Sequence, residues 1–579
     1  MSAPAVSNGG SSNVARRLTQ FARELADKPA VVMTGRRLVP IGKRRYASIT
    51  FAELEADSDL IARGLRAYGV TPGMRLALLV KPSIEFVTLV FALLKSGATS
   101  ILIDPGMGRK NLLKCLADAE PEGFVAIPAA QAVRHFVRGR FPQAKLNVTV
   151  GRKLFWGGVT LDAIRELGAV GSVEDCLARE EDPTGDYEAC LVRAAQDPAA
   201  IIFTTGSTGP PKGVLYSHGN FDHQVEQIRD GFGIKAGEVN VACFPLFGLF
   251  NAAMGVTTVI PRMDASRPAR ANPRNIVNAI NDWNATQSFA SPAVWDNVGQ
   301  YCTSRGIKLP TLREAYSAGA PVPPKVIERM TACLAPGGRL HTPYGATEAL
   351  PVSTIASPEI LKETAKAWAD GRGTCVGRAF SGIERRVIKI VDGPIAEISQ
   401  TSTLPHNEIG ELVVRGPVVT ERYVTRTEAN ATAKIADGSG FWHRMGDAGY
   451  LDAQGRFWFC GRVAHRVRTA TGTRHTDPCE GVFNQHSSVL RSALVGVGPI
   501  GEERPVVCIE LVKSRTVRTS RLEAELREMA RKNPVTFGIV NFLFHPEFPV
   551  DIRHNSKIFR EKLAVWAAEK LGVAPRSES

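Results

Sequence analysis

A helical pattern of apolar and polar positions opens the regular part of the chain. Apolar residues recur at three- and four-residue steps from Phe51 to Leu65, which predicts an amphipathic helix. Thr50 is a suitable N-cap because Glu53 stands three residues later and can complete a capping box, and Gly69 is expected to end the helix. A strand, a helix and a second strand are then predicted over 75–80, 84–95 and 98–103. This order favours an α/β fold in which parallel sheets are covered by helices.

Patterning is weaker from 121 to 197, where the acidic, turn-rich stretch from Glu174 to Asp186 is interpreted as a linker or surface loop. One helical face is predicted to carry Phe221, Val225, Ile228 and Phe232. Further strands are predicted over 199–203, 408–416, 494–497 and 506–509. A chain of 579 residues exceeds the size at which a single core keeps growing, so at least two domains are expected. The Ser/Gly-rich residues 1–13 are expected to form a disordered tail and not a signal peptide.

Composition narrows the class of protein. The net charge is +14, but Lys and Arg are spread along the chain without a dense basic run, so we expect solvated faces and no nucleic-acid partner. A peripheral contact with a membrane surface is left open. The ten cysteines stand far apart without a Cys-x-x-Cys pair, which argues against a zinc site and against a disulfide framework. No apolar run is long enough for a membrane span, and a cytoplasmic location is expected.

A loop of glycines and small hydroxyl residues follows the predicted strand 199–203. It runs through Thr204-Thr205-Gly206-Ser207-Thr208-Gly209 to Lys212-Gly213. Such a loop can turn backbone N–H groups and hydroxyls toward an anion, to which Lys212 adds a positive charge. It is not a Walker P-loop, since Lys212 is followed by Gly213 and by strand-like residues and not by a helix. The alternative for such a loop, taken alone, is a flexible surface hairpin.

The string 203–213 resembles the phosphate loop of the adenylate-forming superfamily, which includes acyl-CoA synthetases, luciferases and peptide-synthetase adenylation domains. Further segments that resemble the motifs of this superfamily follow in its order, at 316–321, 342–348, 442–450, 458–462 and 548–560. The resemblance covers nearly the whole chain. It implies a large amino-terminal domain, 14–463, and a small, mobile carboxy-terminal α/β domain, 464–579.

The resemblance also implies ATP and Mg²⁺ as cofactors and a role for each matching residue. The implied nucleotide-binding residues are Thr204, Thr205, Gly206, Ser207, Thr208, Gly209, Lys212, Ser317, Gly319, Ala320, Pro321, Tyr344, Gly345, Thr347, Asp447 and Arg462. Tyr344 would stack on adenine, and Asp447, expected in a glycine turn, would accept from the ribose hydroxyls. Mg²⁺ would be held by Glu348 and Thr208. Lys557, Lys212 and Glu348 are the implied catalytic residues.

The acyl group is expected beside the segment 243–251. Members of the superfamily often carry a histidine at the position of Gly248, and the loss of its ring would leave room for a bulky apolar substrate. Phe247, Gly248 and Phe250 are the residues expected to border the acyl pocket. A core strand with a glycine bulge is the alternative.

Departures from the common superfamily motifs narrow the reaction further. Met445 stands in place of a threonine, Ala464-His465 in place of a Lys-Asp pair, and Ser556 before Lys557 in place of a glycine. In these residues and the motifs around them, the chain resembles the β-lactone synthetases of bacterial long-chain olefin biosynthesis. The resemblance implies an AMP-forming ligase that adenylates a long-chain β-hydroxy fatty acid and closes it to a β-lactone, with release of pyrophosphate and AMP. The resemblance also implies that the enzyme acts in a pathway after a reductase and before a β-lactone decarboxylase.

Three points stay open at this stage. His218, His443 and His465 are candidates for the base of the ring closure by chemistry alone. A long-chain acyl-CoA synthetase or another fatty acyl-AMP ligase is the alternative function, and a non-catalytic acyl or nucleotide sensor is a more distant one. The presence of Lys212, Glu348, Asp447 and Lys557 argues against the sensor. The sequence does not indicate the oligomeric state.

Overall fold

The predicted amino-terminal elements form as expected. In the computed structural model, which describes residues 12–35, 45–170, 192–204, 210–244, 248–512, 518–550 and 557–576, the capping box at Thr50 and Glu53 is complete. The helix ends at Ala67, and Gly69 follows with φ +106°, a conformation that suits glycine. Residues 1–11 of the expected tail and the acidic stretch 174–186 lie outside the described residues. Asn13, expected in the tail, is buried and donates from Nδ2 to the Leu94 carbonyl at 3.0 Å.

The described helices are α1 Ala15–Glu24, α2 Phe51–Ala67, α3 Ile84–Ser96, α4 Arg109–Asp118, α5 Pro128–Phe136, α6 Leu161–Val170, α7 His218–Phe232, α8 Pro273–Asp282, α9 Pro292–Thr303, α10 Pro324–Thr331, α11 Ser357–Glu359, α12 Ala365–Ala369, α13 Ala429–Ala433, α14 Thr476–Phe483, α15 Thr519–Lys532 and α16 Arg560–Leu571. A π-helical turn, Ile360–Thr364, joins α11 to α12. None of these helices has both the length and the apolar character that a bilayer span needs.

The strands up to residue 341 are β1 Pro29–Thr34, β2 Tyr46–Thr50, β3 Arg75–Leu79, β4 Thr99–Leu102, β5 Gly123–Ala126, β6 Leu146–Thr149, β7 Val159–Thr160, β8 Pro198–Phe203, β9 Gly213–Ser217, β10 Val239–Ala242, β11 Thr257–Ile260, β12 Gln287–Ala290, β13 Glu314–Ser317 and β14 Arg339–His341. The later strands are β15 Tyr344–Ala346, β16 Ala349–Thr354, β17 Thr374–Ala379, β18 Glu384–Ile388, β19 Gly410–Arg415, β20 Lys434–Asp437, β21 Gly440–Leu451, β22 Phe457–Arg462, β23 Val467–Thr469, β24 Gly472–Arg474, β25 Val489–Val497, β26 Arg504–Leu511 and β27 Asn541–Phe544.

Two mainly parallel sheets confirm the predicted α/β class. Their strand orders are β7-β6-β5-β3-β4-β8-β9 and β14-β13-β12-β10-β11-β1-β2, with β9 and β2 as antiparallel edge strands. Helix α3 lies between the two sheets, since one core cluster joins its side chains to Val31 of one sheet and to Ala199 of the other. A helix packed on both sides has no solvent face, which explains why α3 is apolar nearly all round.

A third, antiparallel sheet was not predicted apart from β19. Its order is β15-β16-β17-β22-β21-β19-β18, with β20 paired to β21. After residue 463 the chain forms a small sheet, β25-β26-β27, and the hairpin β23-β24. Hydrophobic residues from Val467 onward pack in clusters of their own around this small sheet. The predicted strands at 494–497 and 506–509 lie in β25 and β26.

Helix α14 forms the main contact between the carboxy-terminal residues and the earlier sheets. At this contact the Thr374 hydroxyl donates to Asp477 Oδ2 at 2.8 Å. Nearby, Asn533 Nδ2 donates to the Asp370 carbonyl at 2.9 Å, and Arg466 pairs with Asp392 at 2.6 Å. Burial raises the pKa of Asp477 to about 7, against the opposing effects of Thr374 and Arg560.

The raised pKa of Asp477 predicts a pH-dependent stability. The folded state holds the carboxyl proton up to about pH 7, whereas the unfolded chain loses it near the ordinary value of about 4. The free energy of unfolding should therefore fall, relative to the Asp477→Asn variant, as pH rises from about 4 to about 7. Urea unfolding of both proteins across this range tests the expectation. The control is Asp370→Asn, which changes an exposed carboxylate at the same contact. Parallel curves of unfolding free energy against pH for wild type and Asp477→Asn would refute the prediction.

Candidate nucleotide and acyl site

A cavity of 1420 Å³ lies between the large sheets and the carboxy-terminal residues. Of the residues expected in the site, it is lined by Thr204, Lys212, Ser317, Gly319, Ala320, Pro321, Tyr344, Gly345, Thr347, Glu348, Asp447, Arg462, Lys557 and Phe250. The expected residues Thr205, Gly206, Ser207, Thr208, Gly209 and Phe247 lie outside the described residues. Segments far apart in the sequence thus meet around one space.

The predicted phosphate loop connects two antiparallel strands, β8 and β9. Its base is closed by two hydrogen bonds: the Thr204 backbone N–H donates to the Lys212 carbonyl at 2.9 Å, and the Lys212 N–H donates to Thr204 Oγ1 at 3.0 Å. The Gly213 N–H donates to Thr425 Oγ1 at 2.8 Å. The strand that follows Lys212 agrees with the exclusion of a Walker P-loop.

Tyr423 links Lys212 to Glu348, although no pattern in the sequence indicates this role. The Tyr423 hydroxyl donates to Glu348 Oε1 at 2.5 Å, and Lys212 Nζ lies 4.4 Å from the centre of the Tyr423 ring. A cation over an aromatic face is attracted by the quadrupole of the ring. One buried tyrosine therefore positions both a predicted catalytic cation and a predicted metal ligand.

A further lysine, the half-buried Lys434, lies near Glu348. Lys434 Nζ donates to the carbonyl of Thr420, while the Thr420 backbone N–H and hydroxyl donate to the Glu348 carbonyl at 2.9 and 3.1 Å. Burial lowers the pKa of Lys434 to about 7, although Glu348 acts in the opposite direction. Lys434 is therefore expected to change between its charged and neutral forms near neutral pH.

Glu348 fits the expected Mg²⁺, since a carboxylate oxygen is the hard ligand that this ion prefers. No cluster of three or more His, Cys, Asp or Glu side chains suited to a metal occurs within the described ranges. A Mg²⁺ ion at Glu348 would therefore complete its shell with phosphate oxygens and water, as is usual for this ion in nucleotide sites.

Asp447 is held between Tyr344 and Arg462. The Tyr344 hydroxyl donates to Asp447 Oδ2, and Arg462 Nη1 lies 3.0 Å from Oδ1 while donating to the Met445 carbonyl at 2.9 Å. Burial raises the pKa of Asp447, and the charges of Arg462 and Lys557 oppose this. Oδ1 is buried and accepts no hydrogen bond from the described residues. It is an acceptor suited to a ribose hydroxyl.

The expectation that Asp447 lies in a glycine turn is wrong. Asp447 lies inside the long strand β21. The pairing of β21 with β19 is irregular at this point, and Gly446 has φ +66°. A bulge inside a strand can re-aim a side chain as a turn does, and here it carries the carboxylate to the cavity.

Ser317 ends strand β13, and the residues after it line the cavity with backbone and small side chains. Gly319 has φ +95°, which suits glycine. Trp295 Nε1 donates to the Tyr316 carbonyl at 2.9 Å and fixes the end of the strand. The buried hydroxyl of Ser317 has no partner among the described residues.

Lys557 reaches the cavity from the carboxy-terminal residues. Val550 and Ile558 form an antiparallel bridge, and the Phe559 N–H donates to the Pro549 carbonyl at 2.9 Å. Arg560 then makes a bidentate ion pair with Glu480, at 2.5 and 2.9 Å. The lysine is therefore carried on a segment anchored on both sides.

The three candidate histidines are placed differently. His218 is absent from the cavity lining, and burial lowers its pKa to about 4. His443 and His465 line the cavity. Burial lowers the pKa of His443 well below its usual range, and burial with the charge of Arg560 lowers that of His465 to about 3. His443 Nδ1 lies 3.1 Å from the Ala433 carbonyl; since a carbonyl only accepts, this nitrogen carries the proton and Nε2 is left as an acceptor.

An apolar arm of the cavity runs between α3 and α7. It is lined by Val90, Leu94, Val225, Ile228, Phe232 and Met254. Gly248 does not line the cavity, contrary to expectation. A Cβ atom at Gly248 would lie 2.7 Å from the Ala242 Cβ, so close packing of the chain against β10 accounts for this glycine, and not space for the acyl group.

Comparison with known proteins places the chain in a family. The family described as AMP-binding enzyme matches residues 18–424. Proteins named olefin beta-lactone synthetase from Stenotrophomonas maltophilia and Xanthomonas campestris are 45% and 44% identical over 565 residues, which is 96% of this chain and 98% of each relative. The solved structure of the amide bond synthetase McbA from Marinactinospora thermotolerans covers 96% of this chain, with 99% of its own chain matched, 20% identity and a TM-score of 0.73.

The chain therefore belongs to the AMP-binding enzyme family and, within it, to the group of the olefin β-lactone synthetases. This confirms the resemblance that the sequence motifs indicated. The solved structure, at its low identity, supports the fold alone.

Removing the Tyr423 hydroxyl should weaken the binding of ATP in the presence of Mg²⁺. Tyr423→Phe keeps the aromatic ring beside Lys212 but removes the hydrogen bond that the hydroxyl donates to Glu348. The loss of a hydrogen bond to a charged group weakens binding by about 10- to 100-fold. Calorimetry with ATP, with and without Mg²⁺, measures the effect. The control is Tyr450→Phe, whose hydroxyl donates to the Arg372 carbonyl instead. Equal affinities for Tyr423→Phe and wild type would contradict the positioning role.

Proposed function

We propose that this protein adenylates a long-chain 3-hydroxy fatty acid with ATP and then closes the acyl-adenylate to a β-lactone, releasing pyrophosphate and AMP. The observation that carries the proposal is the lining of the cavity, which brings apolar residues of α3 and α7 together with the residues expected to bind nucleotide. The names of the two relatives that are 45% and 44% identical agree with it.

In the first step a carboxylate oxygen of the acid attacks the α-phosphorus of ATP, and pyrophosphate leaves. We assign Lys212 to the leaving phosphates and Lys557 to the attacking carboxylate and the α-phosphate, where negative charge builds up. Asp447 would accept from the ribose hydroxyls, and Arg462 would hold Asp447 in place. Ser317 and the backbone of 319–321 would border adenine. Mg²⁺, held by Glu348 with Thr208 as the proposed second ligand, would neutralise phosphate charge.

In the second step the 3-hydroxyl oxygen attacks the activated carbonyl carbon, its proton passes to a base, and AMP leaves. Both reacting groups belong to one molecule, and a well-oriented internal nucleophile can reach an effective concentration of about 10⁵ M or more. The strain of the four-membered ring offsets part of this gain. We assign His443 as this base, because it lines the cavity and the contact of its Nδ1 with the Ala433 carbonyl leaves Nε2 as an acceptor, whereas His218 is absent from the lining.

The remaining assignments rest on the same proposal. We assign the large domain to 14–463 and the small domain to 464–579, and we place the enzyme in the cytoplasm. A reductase that forms the 3-hydroxy acid and a decarboxylase that consumes the β-lactone are the classes of enzyme that would act before and after it.

The product decides between the lactone and the thioester. With ATP, Mg²⁺ and one defined long-chain 3-hydroxy acid, we expect mass spectrometry to find the acid minus one water, with AMP formed in equal amount, both with and without CoA. The matching acid without the 3-hydroxyl should give acyl-adenylate but no lactone. A CoA thioester as the main product would refute lactone formation while keeping adenylation.

Lys557→Ala should reduce adenylation roughly 10²–10³-fold, which is typical for the loss of one group that stabilises charge in the transition state. Binding of ATP should stay measurable, since the other nucleotide contacts are unchanged. Pyrophosphate release in a single turnover measures the rate, and calorimetry measures the binding. Lys562→Ala is the matched control, because Lys562 is exposed on α16 beside the Phe559 ring. Equal rates for the two variants would refute the role of Lys557.

A further inference from the structure

Apolar side chains are exposed together at one end of the first sheet, away from the cavity. Phe136 at the end of α5 is 77% exposed, Phe155 is 60% exposed, and their neighbours Val133 and Leu154 are about half exposed, at 49% and 53%. The rings of Phe136 and Phe155 lie 6.0 Å apart, centre to centre. Single exposed apolar residues are ordinary, but a contiguous group marks an interaction site.

The group is held in place by buried polar contacts beneath it. Arg134 is buried and donates from Nε to Gln131 and from Nη2 to the Trp156 carbonyl, at 2.7 and 2.8 Å. Trp156 is also buried, and its Nε1 donates to Thr149 Oγ1 at 2.9 Å. These bonds tie the loop that carries Leu154 and Phe155 to helix α5. The two phenyl rings are therefore presented to solvent by a fixed scaffold.

The part of the sequence that carries the exposed rings is rich in cations and has no carboxylates. The segment 123–161 contains no Asp or Glu. Its exposed cations are Arg138, Arg140, Lys145, Arg152 and Lys153. The acidic residues next to this segment in the sequence each have a partner: Glu122 accepts from the Arg75 backbone N–H at 2.9 Å, and Asp162, although exposed, pairs with Arg165 at 3.1 Å. We call Val133, Phe136, Leu154 and Phe155, with Arg138, Arg140, Arg152 and Lys153, the aromatic–basic surface.

We propose that the aromatic–basic surface docks the protein on an anionic phospholipid bilayer. Aromatic rings are favoured at the level of lipid headgroups, and exposed Lys and Arg are attracted to anionic lipid. The combination of inserted rings and surrounding cations is that of a peripheral membrane contact.

Charge argues against a second copy of the chain as the occupant. A two-fold contact would bring this surface against itself, and the cations of both copies would repel each other across it. A bilayer with anionic headgroups supplies the complementary charge. The proposal goes beyond the proposed function and does not depend on it.

The surface can be altered without touching the cavity. Strand β6, which leads into the loop with Phe155, is four strand positions from β8, which leads into the phosphate loop. At about 4.8 Å for each position this is a separation of about 19 Å. Variants here should therefore keep ATP binding and product formation with a dissolved substrate, so failure of this proposal is distinguishable from failure of the proposed function.

Sedimentation with large unilamellar vesicles tests the proposal on the full chain. We expect binding to phosphatidylcholine vesicles with about 30 mol % phosphatidylglycerol and at least tenfold weaker binding to phosphatidylcholine alone. Phe136→Ser with Phe155→Ser, and separately Arg140→Gln with Arg152→Gln, should each weaken binding at least tenfold. The matched controls lie on the carboxy-terminal residues: Phe537→Ser, at a ring 63% exposed, and Arg531→Gln with Lys532→Gln on α15.

Four outcomes would overturn the proposal. The first is that wild-type protein does not sediment with the anionic vesicles. The second is that the surface variants and their controls lose binding equally, because the binding would then depend on the net charge of the protein and not on this surface. Light scattering gives the third: a dimer that Phe136→Ser with Phe155→Ser converts to a monomer would show that a second copy covers the surface. Vesicle binding that appears only after Glu180, Glu181 and Asp182 are neutralised would show that the acidic stretch of this chain occupies it, and would count against the proposal too.

Discussion

The bidentate ion pair between Arg560 and Glu480 is the interaction that anchors the chain just after Lys557. A buried ion pair repays its desolvation only when the geometry is good and the remaining lone pairs are used. Here both guanidinium nitrogens contact Glu480, and Glu480 Oε1 also accepts from the Leu494 N–H at 2.8 Å. Glu480 lies on α14, the same helix whose Asp477 contacts Thr374. One helix therefore connects the lysine segment to the earlier sheets.

Two carboxylates at the cavity, Glu348 and Asp447, are each positioned by a tyrosine hydroxyl, from Tyr423 and Tyr344 respectively. A neutral donor fixes a carboxylate without cancelling its charge, so each keeps its charge for a partner. For Asp447 that partner is Arg462, whereas Glu348 is the ligand expected for Mg²⁺. Lys212 and Lys557 line the same cavity, and their charges can meet those of a polyphosphate.

Local signals made α2 and the first βαβ unit predictable, since a capping box and a helical period are read within a few residues. The strands β5 and β6 were not predicted, because each has only four residues, nearly all buried. Such a strand shows no alternation of apolar and polar positions and is too short to stand out in the sequence. The site residues with motifs around them could be named from the sequence, and the structure brings those it describes to one cavity. Tyr423 could not be named, because its role arises only where a loop after β19 passes Lys212 and Glu348. Gly248 was interpreted from the family pattern, while its cause is a contact with Ala242 that no linear pattern reveals.

The segment that joins the two parts of the chain is itself held by hydrogen bonds. Arg576 donates to the carbonyls of Ala464 and Arg466 at 3.0 and 3.2 Å, and Arg466 donates to the Val463 carbonyl at 2.7 Å. A rotation of the small sheet about this segment would also have to break its contacts with the earlier residues, such as Thr374 with Asp477 and Arg466 with Asp392. A second acceptor such as a thiol would have to enter the cavity beside Lys557, which lines it. Ring closure by the substrate's own hydroxyl brings no second molecule, so on the proposed function the arrangement that serves adenylation can also serve the step after it.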